Sequence, residues 1–476
     1  MRLEIGLLKL ERELKSDITP KIKYKHMKNI NIYFQFAVLV FLIFISSKVY
    51  PQNANLKAGI AKIDITPTEN LYMGGYDESC RMGPSEGHLG NIYVRALVFE
   101  DDLNKVAFVE LDVVSLPPKN YDQIRKKISD ETGIPFHHIM LGCVHNHAAP
   151  YPGGKNIGSE WYKHFDNNII QAVKNAIADL EPVKIGGGTG ISVIAMNRRK
   201  RMNDTLSYLT FDENNSSQSY GQYKTDNPVK IREMAGVYRL GANPSGPIDQ
   251  EVGILRIDKL SGQPKGVFIN YACHGTSLGG RNNMISPEWN GHMLEYIEQQ
   301  YPGLIGIFAQ GAAGDINPRF VGGLEGYVDN FEKTKNLGYE IGREVISVFN
   351  SIKTEIPESS TIKLENDAIV CPKKYGEVVK DFKNTTLDVP ITVIKINEFT
   401  WVTFPGELFH EIGQTIKSCT HSKYPFVVGY CNGSLGYLPT QVAYTEGGYE
   451  PWATKFAPVT EKILTVGIEN MLIKVY

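Results

Sequence analysis

His145-Asn146-His147 sets two imidazoles one residue apart just after the apolar run 139–144. The run reads as a short buried β-strand. Residues two apart on a strand point the same way, so both imidazoles are expected to project together from its end. One can bind a metal while the other works beside it. Two later stretches share the layout: the apolar run 267–273 ends in His274, and 400–404 leads into Pro405-Gly406-Glu407. His145, His274 and Glu407 are therefore three candidate zinc ligands. Zinc takes nitrogen and oxygen donors in a near-tetrahedral set, and hydrolytic sites keep one position for water. Bound zinc lowers that water's pKa toward 7 and polarises a carbonyl oxygen. A His-x-His pair alone is a weak signal, shared with hydrogen-bonded and surface histidines. The common placement at strand ends, where α/β sheets assemble ligand sites, strengthens it.

The elements that must hold these residues alternate in type. An alternating strand from Ala58 stops at Pro67 and gives way to a loop through Gly74 and Gly75. Residues 94–100 and 105–112 read as a hairpin joined by Asp101-Asp102-Leu103-Asn104. A helix over 120–132 ends at Gly133. An amphipathic helix spans 159–180, with Trp161, Phe165, Ile169, Val173 and Ile177 on one face. A strand with a glycine-rich middle covers 183–196, and the polar stretch 200–243 reads as a surface excursion. Strands 251–258 and 266–273 pair through 259–265. A helix then starts with Ser286 as N-cap and Pro287 in its first turn. Strand 304–308 leads into Gly311-Ala-Ala-Gly-Asp315-Ile-Asn-Pro, a glycine loop with no Lys-Ser/Thr to make it a phosphate loop. A helix at 335–352, strands at 361–370, 391–396 and 426–430, and a Gly- and Tyr-rich stretch at 431–449 complete the chain. The expected class is α/β: a mixed β-sheet core flanked by helices, with the active site at strand C-terminal ends.

Composition bounds the partners. The 476 residues are 42% hydrophobic and 21% charged, enough for one large core or two smaller ones. A net charge of -2 argues against a protein built to bind nucleic acid or an anionic membrane surface, both of which call for a basic face. Lipid-like and small-molecule partners remain, with transient contact at a membrane surface, and no pattern sets an oligomeric state. Six cysteines in so long a chain do not form a disulfide scaffold; they read as small buried residues with at most one or two bridges.

Residues 1–54 stand apart as a leader. Lys21, Lys23, Lys25 and Lys28 precede the apolar run 36–45, followed by Ser46 and Ser47. The run is short for a membrane span, which takes about 20 apolar residues. The pattern is that of a signal peptide, and Met27 heads a more conventional one than Met1 does. A buried helix and a signal anchor are the other readings. The expectation is an exported protein, secreted or periplasmic, whose residues 55–476 form one domain.

Taken together, the motifs resemble those of the neutral/alkaline (non-lysosomal) ceramidases in their N-terminal catalytic domain. The resemblance rests on Ala58-Gly-Ile-Ala-Lys-Ile-Asp-Ile-Thr-Pro67, Tyr93-Val-Arg95, His145-Asn-His147, Asn197-Arg198 and Gly246-Pro-Ile-Asp249. It continues through His274-Gly-Thr-Ser, Gly314-Asp-Ile-Asn-Pro, Pro405-Gly-Glu407, Gly436-Tyr437 and Tyr449-Glu450. It implies one Zn2+ held by His145, His274, Glu407 and Tyr437, the last of which is otherwise one aromatic among many. It also implies cleavage of the N-acyl amide of ceramide to sphingoid base and fatty acid by zinc-bound water. His147 would transfer protons, while Tyr449 and Arg198 would steady the oxyanion, roles suited to an imidazole and to two hydrogen-bond donors. Two departures bear on the substrate. Asn146, Ala148 and Ala149 stand where ceramidases usually have Thr, Ser and Gly, and Asn317 where they often have Ser. The chain ends soon after Tyr449, so the family's C-terminal β-sandwich domain is expected to be absent. Two rivals are a same-fold zinc hydrolase of another N-acyl amide or ester, and a non-catalytic surface module binding lipid or glycan.

Overall fold

A computed structural model describes residues 56–76, 81, 83–201, 238–322, 327–357 and 362–476. The leader and most of the 200–243 excursion lie outside these residues. Eight strands form the main sheet, in the order Ile305–Gln310, Pro264–Tyr271, Glu251–Lys259, Glu181–Ile191, Lys57–Asp64, Tyr93–Glu100, Lys105–Leu111, Ile139–Cys143. The two outermost pairs are parallel and the inner ones antiparallel. The period of two sorts side chains to the two faces. Val94, Ala96 and Val98 meet helices Pro118–Thr132 and Glu160–Ala178, while Leu97 and Phe99 face the other way. At the far end of the sheet Ile254, Val267 and Ile269 pack on helices Glu288–Gln300 and Tyr327–Ser351.

The opposite face lies on a second sheet, ordered Ile362–Pro372, Thr386–Ile396, Phe399–Thr403, Tyr424–Val428. Trp401 is fully buried between the sheets, with the rings of Phe108 and Phe426 at 5.0 and 5.2 Å. The outer face of this second sheet packs on helices His410–Cys419 and Thr460–Val475 through Val389, Ile391, Ile412, Leu464 and Ile468. The layers run helix, sheet, sheet, helix, so the class is α/β with mixed sheets, as expected.

Most expected elements occur, including the 101–104 turn, where Asp101 N–H donates to Asn104 O at 2.9 Å. Gly133 ends its helix at φ 73° and Ser159 caps the next. Two details differ. The expected strand 183–196 is two strands, because its partner Glu251–Lys259 runs out opposite Ile191. The chain then leaves the sheet, and Ala195–Arg201 joins Ile316–Pro318 and Tyr238–Asn243 in a separate three-stranded sheet. The helix after His274 is capped by Pro287 rather than Ser286, whose hydroxyl still accepts from Glu288 N at 3.2 Å. Among the described residues Cys143, Cys273, Cys371, Cys419 and Cys431 are free, and all but Cys419 are buried.

Candidate active site

His145 and His147 do converge, but not by strand period. Strand Ile139–Cys143 ends two residues earlier, and His145 adopts a left-handed backbone at φ 61°. Asn146 bridges Gly275 in parallel and His147 N–H donates to Gly275 O at 2.9 Å, which sews this segment to the one carrying His274. Asn146 is wholly buried; its amide donates to Ser286 O and accepts from Ala148 N. Glycine loop 74–75 closes over the pair. Gly74 N–H donates to Ala149 O, and a Cβ on Gly75, at φ 90°, would sit 2.3 Å from His147 Nδ1.

Glu407 arrives from the second sheet. After Phe399–Thr403 the chain makes the short strand Glu407–Leu408, which pairs in parallel with Tyr437–Leu438, so that Glu407 and Tyr437 are register partners. Glu407 Oε2 lies 3.2 Å from His274 Nε2 and 3.7 Å from His145 Nε2. In a tetrahedral zinc site, bond lengths of about 2.0–2.1 Å give ligand-to-ligand separations of about 3.3 Å. His145 Nδ1 donates to Val114 O at 2.9 Å and His274 Nδ1 to Ile316 O at 3.0 Å. Each imidazole is thereby held in the tautomer that turns an Nε2 lone pair inward, the usual outer support of a metal-binding histidine. Burial pushes His145 down to about 3, against the opposing pull of Glu407. It drives His147 and His274 well below the usual histidine range, helped by His145 and Arg198 respectively. Inward-turned Nε2 lone pairs and a carboxylate are donor types that zinc takes, so the set fits zinc.

His147 stands slightly apart from that set. Its Nε2 is 3.0 Å from His145 Nε2, and His145, His147 and His274 together form a group able to hold an ion. Yet among the described residues no carbonyl fixes its ring: Nδ1 is buried without a partner there, and Tyr76 packs edge-on at 4.9 Å. A ring free to change its proton suits transfer better than ligation.

Arg198 reaches the site from Ala195–Arg201. Its Nη1 donates to His274 Nε2 at 3.0 Å and to Asn317 Oδ1 at 3.3 Å, and its Nε to Glu450 Oε1 at 2.9 Å. Burial works against its charge, but Tyr437, Glu450 and Glu407 outweigh it and hold the guanidinium protonated. The guanidinium carbon lies 5.4 Å from the Tyr437 ring centre, and Tyr449 meets that ring edge-on at 5.6 Å. Burial, then Glu407, raises the Tyr437 phenol well above its usual range. A metal cation at the site would act in the opposite direction. All seven sequence-derived residues therefore lie in one contact network.

Three residues of the network have no role assigned from the sequence, although Glu450 and Asp315 stand within quoted motifs. Tyr430 is buried, stacks on His145 at 4.1 Å and donates to Glu407 Oε2 at 3.4 Å. Glu450 is buried and binds Arg198 with one oxygen and Arg199 with the other. Asp315 accepts from His410 Nδ1 at 2.7 Å and from His410 N–H at 3.0 Å, and its carbonyl from Arg198 N–H. The glycine loop is thus a brace: Ile316 O orients His274, and Gly314 packs against the Glu407 backbone with no room for a Cβ. The only sequence signal for Glu450 is its position beside Tyr449. A cavity of about 770 Å³, lined by Gly187, Val348 and Tyr424, contains none of these residues.

Residues 56–336 match the family described as neutral/alkaline non-lysosomal ceramidase, N-terminal. The neutral ceramidase of Drosophila melanogaster is 24% identical over 286 residues, 57% of this chain and 37% of that protein. Neutral ceramidase B of Dictyostelium discoideum is 22% identical over 47% of this chain and 30% of its own. The chain thus spans about a third of the length of these curated relatives. The crystal structure of neutral ceramidase from Pseudomonas aeruginosa superposes with a TM-score of 0.67 at 17% identity, over 88% of this chain and 74% of that one. At that identity the likeness speaks for the fold.

Proposed function

The chain belongs to the neutral/alkaline non-lysosomal ceramidase family, and from that membership we propose that it is an exported, zinc-dependent amidohydrolase. Its residues 55–476 act as one domain that cleaves the N-acyl amide of ceramide to sphingoid base and fatty acid. The active site lies beyond the carboxyl ends of strands from both large sheets. The observation that carries this reading is the meeting of His145 Nε2, His274 Nε2 and Glu407 Oε2, with both histidines turned inward by backbone carbonyls.

His145, His274, Glu407 and Tyr437 would hold zinc. When bound, the metal supplies Lewis acidity and lowers the pKa of water to near neutral. His147 takes a proton from the attacking water and returns it to the leaving nitrogen, as an unanchored neutral imidazole can. Arg198, kept charged by Glu450, and the Tyr449 phenol donate to the oxygen on which negative charge develops. Glu450 and Asn317 fix the guanidinium beforehand, so little reorganisation is needed in the reaction. Asn317, in contact with Arg198, also lies where substrate selection is expected, so the nearest rival substrate is another N-acyl amide or an ester.

The test compares metal content and turnover for the parent, His147→Ala and Glu407→Ala. His147→Ala should keep its metal and lose on the order of 10²–10⁴ in kcat on ceramide. Glu407→Ala should lose both. Hydrolysis of shorter N-acyl amides with none of ceramide would transfer the reading to another amide. A metal-free parent, or full activity in His147→Ala, would reject it.

A further inference from the structure

The second sheet carries an extension that the proposed chemistry does not use. Strands Ile362–Pro372 and Thr386–Ile396 pair along their whole length, but only Val393–Ile396 of the latter pair with Phe399–Thr403. The remainder runs on as a two-stranded arm, in the direction in which Phe399–Thr403 points toward Glu407. Helix Thr460–Val475 backs the arm through Ile369, Leu387 and Leu464. At its tip the helix Tyr375–Lys380 has no buried residue. Tyr375 is 82% exposed, Phe382 72% and Val379 44%. Exposing two aromatic rings and a valine on one tip forfeits much apolar burial, and so marks a contact surface.

The tip lies next to the site. Lys373 bridges Phe456, Lys374 N–H donates to Lys455 O at 2.9 Å, and Lys374 Nζ donates to Trp452 O. Trp452 in turn packs 6.1 Å from Tyr449. Charge completes the pattern. Residues 373–383 carry Lys373, Lys374, Lys380 and Lys383 against Glu377 and Asp381, in a chain whose net charge is -2. Lys380 and Glu377 pair at 2.7 Å and cancel, which leaves Lys373, Lys374 and Lys383 against Asp381. Exposed aromatics close in sequence to an excess of lysine are the composition that enters the headgroup layer of an anionic bilayer.

We propose that the arm tip, Tyr375 to Lys383, docks this protein on an anionic phospholipid surface and brings the Tyr449 side of the site against the bilayer. The proposal rests on the hydrolase reading only for why a membrane should be approached. Docking can be measured without turnover. Full-length protein is sedimented with vesicles of phosphatidylcholine, alone or mixed with phosphatidylglycerol. Binding should be stronger to the mixed vesicles, and Tyr375→Ser/Phe382→Ser should weaken it about tenfold or more. Lys373→Glu/Lys383→Glu should remove the preference for the mixed vesicles. Melting temperature and hydrolysis of a soluble short-chain N-acyl amide should stay unchanged in both variants, while hydrolysis of ceramide in vesicles falls with binding. Equal vesicle binding by parent and Tyr375→Ser/Phe382→Ser overturns the proposal, as does a parent that does not bind. A parent dimer that the double substitution dissociates, with vesicle binding intact, would assign the tip to self-association and also overturns it. Vesicle binding that falls as expected in a protein hydrolysing no amide would keep the docking surface and reject only the hydrolase.

Discussion

Glu450 shows how much of the site is decided by single buried charges. It is 1% exposed and pairs with two guanidiniums, of which Arg198 is the one in contact with the candidate ligand His274. Removing one member of a buried pair leaves the other uncompensated, at a cost of about 3–5 kcal/mol. Glu450→Gln should lower the unfolding free energy by about that amount in urea titration, and kcat by roughly tenfold because Arg198 is no longer held. A second buried carboxylate works on the pH axis. Burial pushes Asp112 up to about 6, with Arg95 and the Tyr93 N–H opposing. Its folded form therefore holds a proton that the unfolded chain releases near 3.9. Stability should fall as pH rises through the window from about 4 to about 6, by about 3 kcal/mol for a two-unit shift. In Asp112→Asn that part of the slope should vanish, which urea midpoints of parent and variant at pH 4 and pH 7.5 would show. The types and order of His145, His147, His274 and Glu407 are legible in the sequence because metal chemistry restricts which side chains serve. The supporting roles of Tyr430, Glu450 and Asp315 are not, since a supporting partner can be any residue that the fold delivers.

Among the elements, loops do the positioning. The Gly74–Gly75 turn exists to pass close to His147, and Gly75 needs both its positive φ and its missing Cβ. Gly75→Ala should cost about 1–2 kcal/mol through the backbone alone. By displacing His147 it should also lower kcat about tenfold or more with metal content unchanged, in the same assays as His147→Ala. An unchanged kcat would mean that the loop does not hold the ring. Helices and strands were readable from periodicity, as with Trp161, Phe165 and Ile169 on one face of Glu160–Ala178. Boundaries set by a partner were not. Nothing local in 183–196 says that the strand must stop at Ile191, because the end of strand Glu251–Lys259 decides it. In the same way His145 and His147 converge through a left-handed turn and a bridge to Gly275, not through alternation along a strand.

Across the whole described molecule the candidate ligands come from both sheets. His145 and His274 follow strands of the eight-stranded sheet, and Glu407 and Tyr437 follow strands of the four-stranded one. A shared cation would thus tie the two sheets together at one end, beyond the packing of Trp401 between them. Anything bound only by the folded state stabilises it, by about 4 kcal/mol at a thousandfold excess over Kd. Stripping metal with a chelator should lower the calorimetric melting temperature by several degrees, and zinc should restore it. A melting temperature indifferent to chelation would mean that no cation spans the sheets. The sequence by itself determined which residues are candidate ligands, the alternation of strands and helices, and the family, because each is written in short-range pattern or in the order of motifs. Only the tertiary structure decided which carbonyls turn His145 and His274 inward, which acid holds Arg198, and that Glu407 meets Tyr437 in register. Those are contacts between residues tens to hundreds of positions apart, and side-chain type alone does not encode the distance between them.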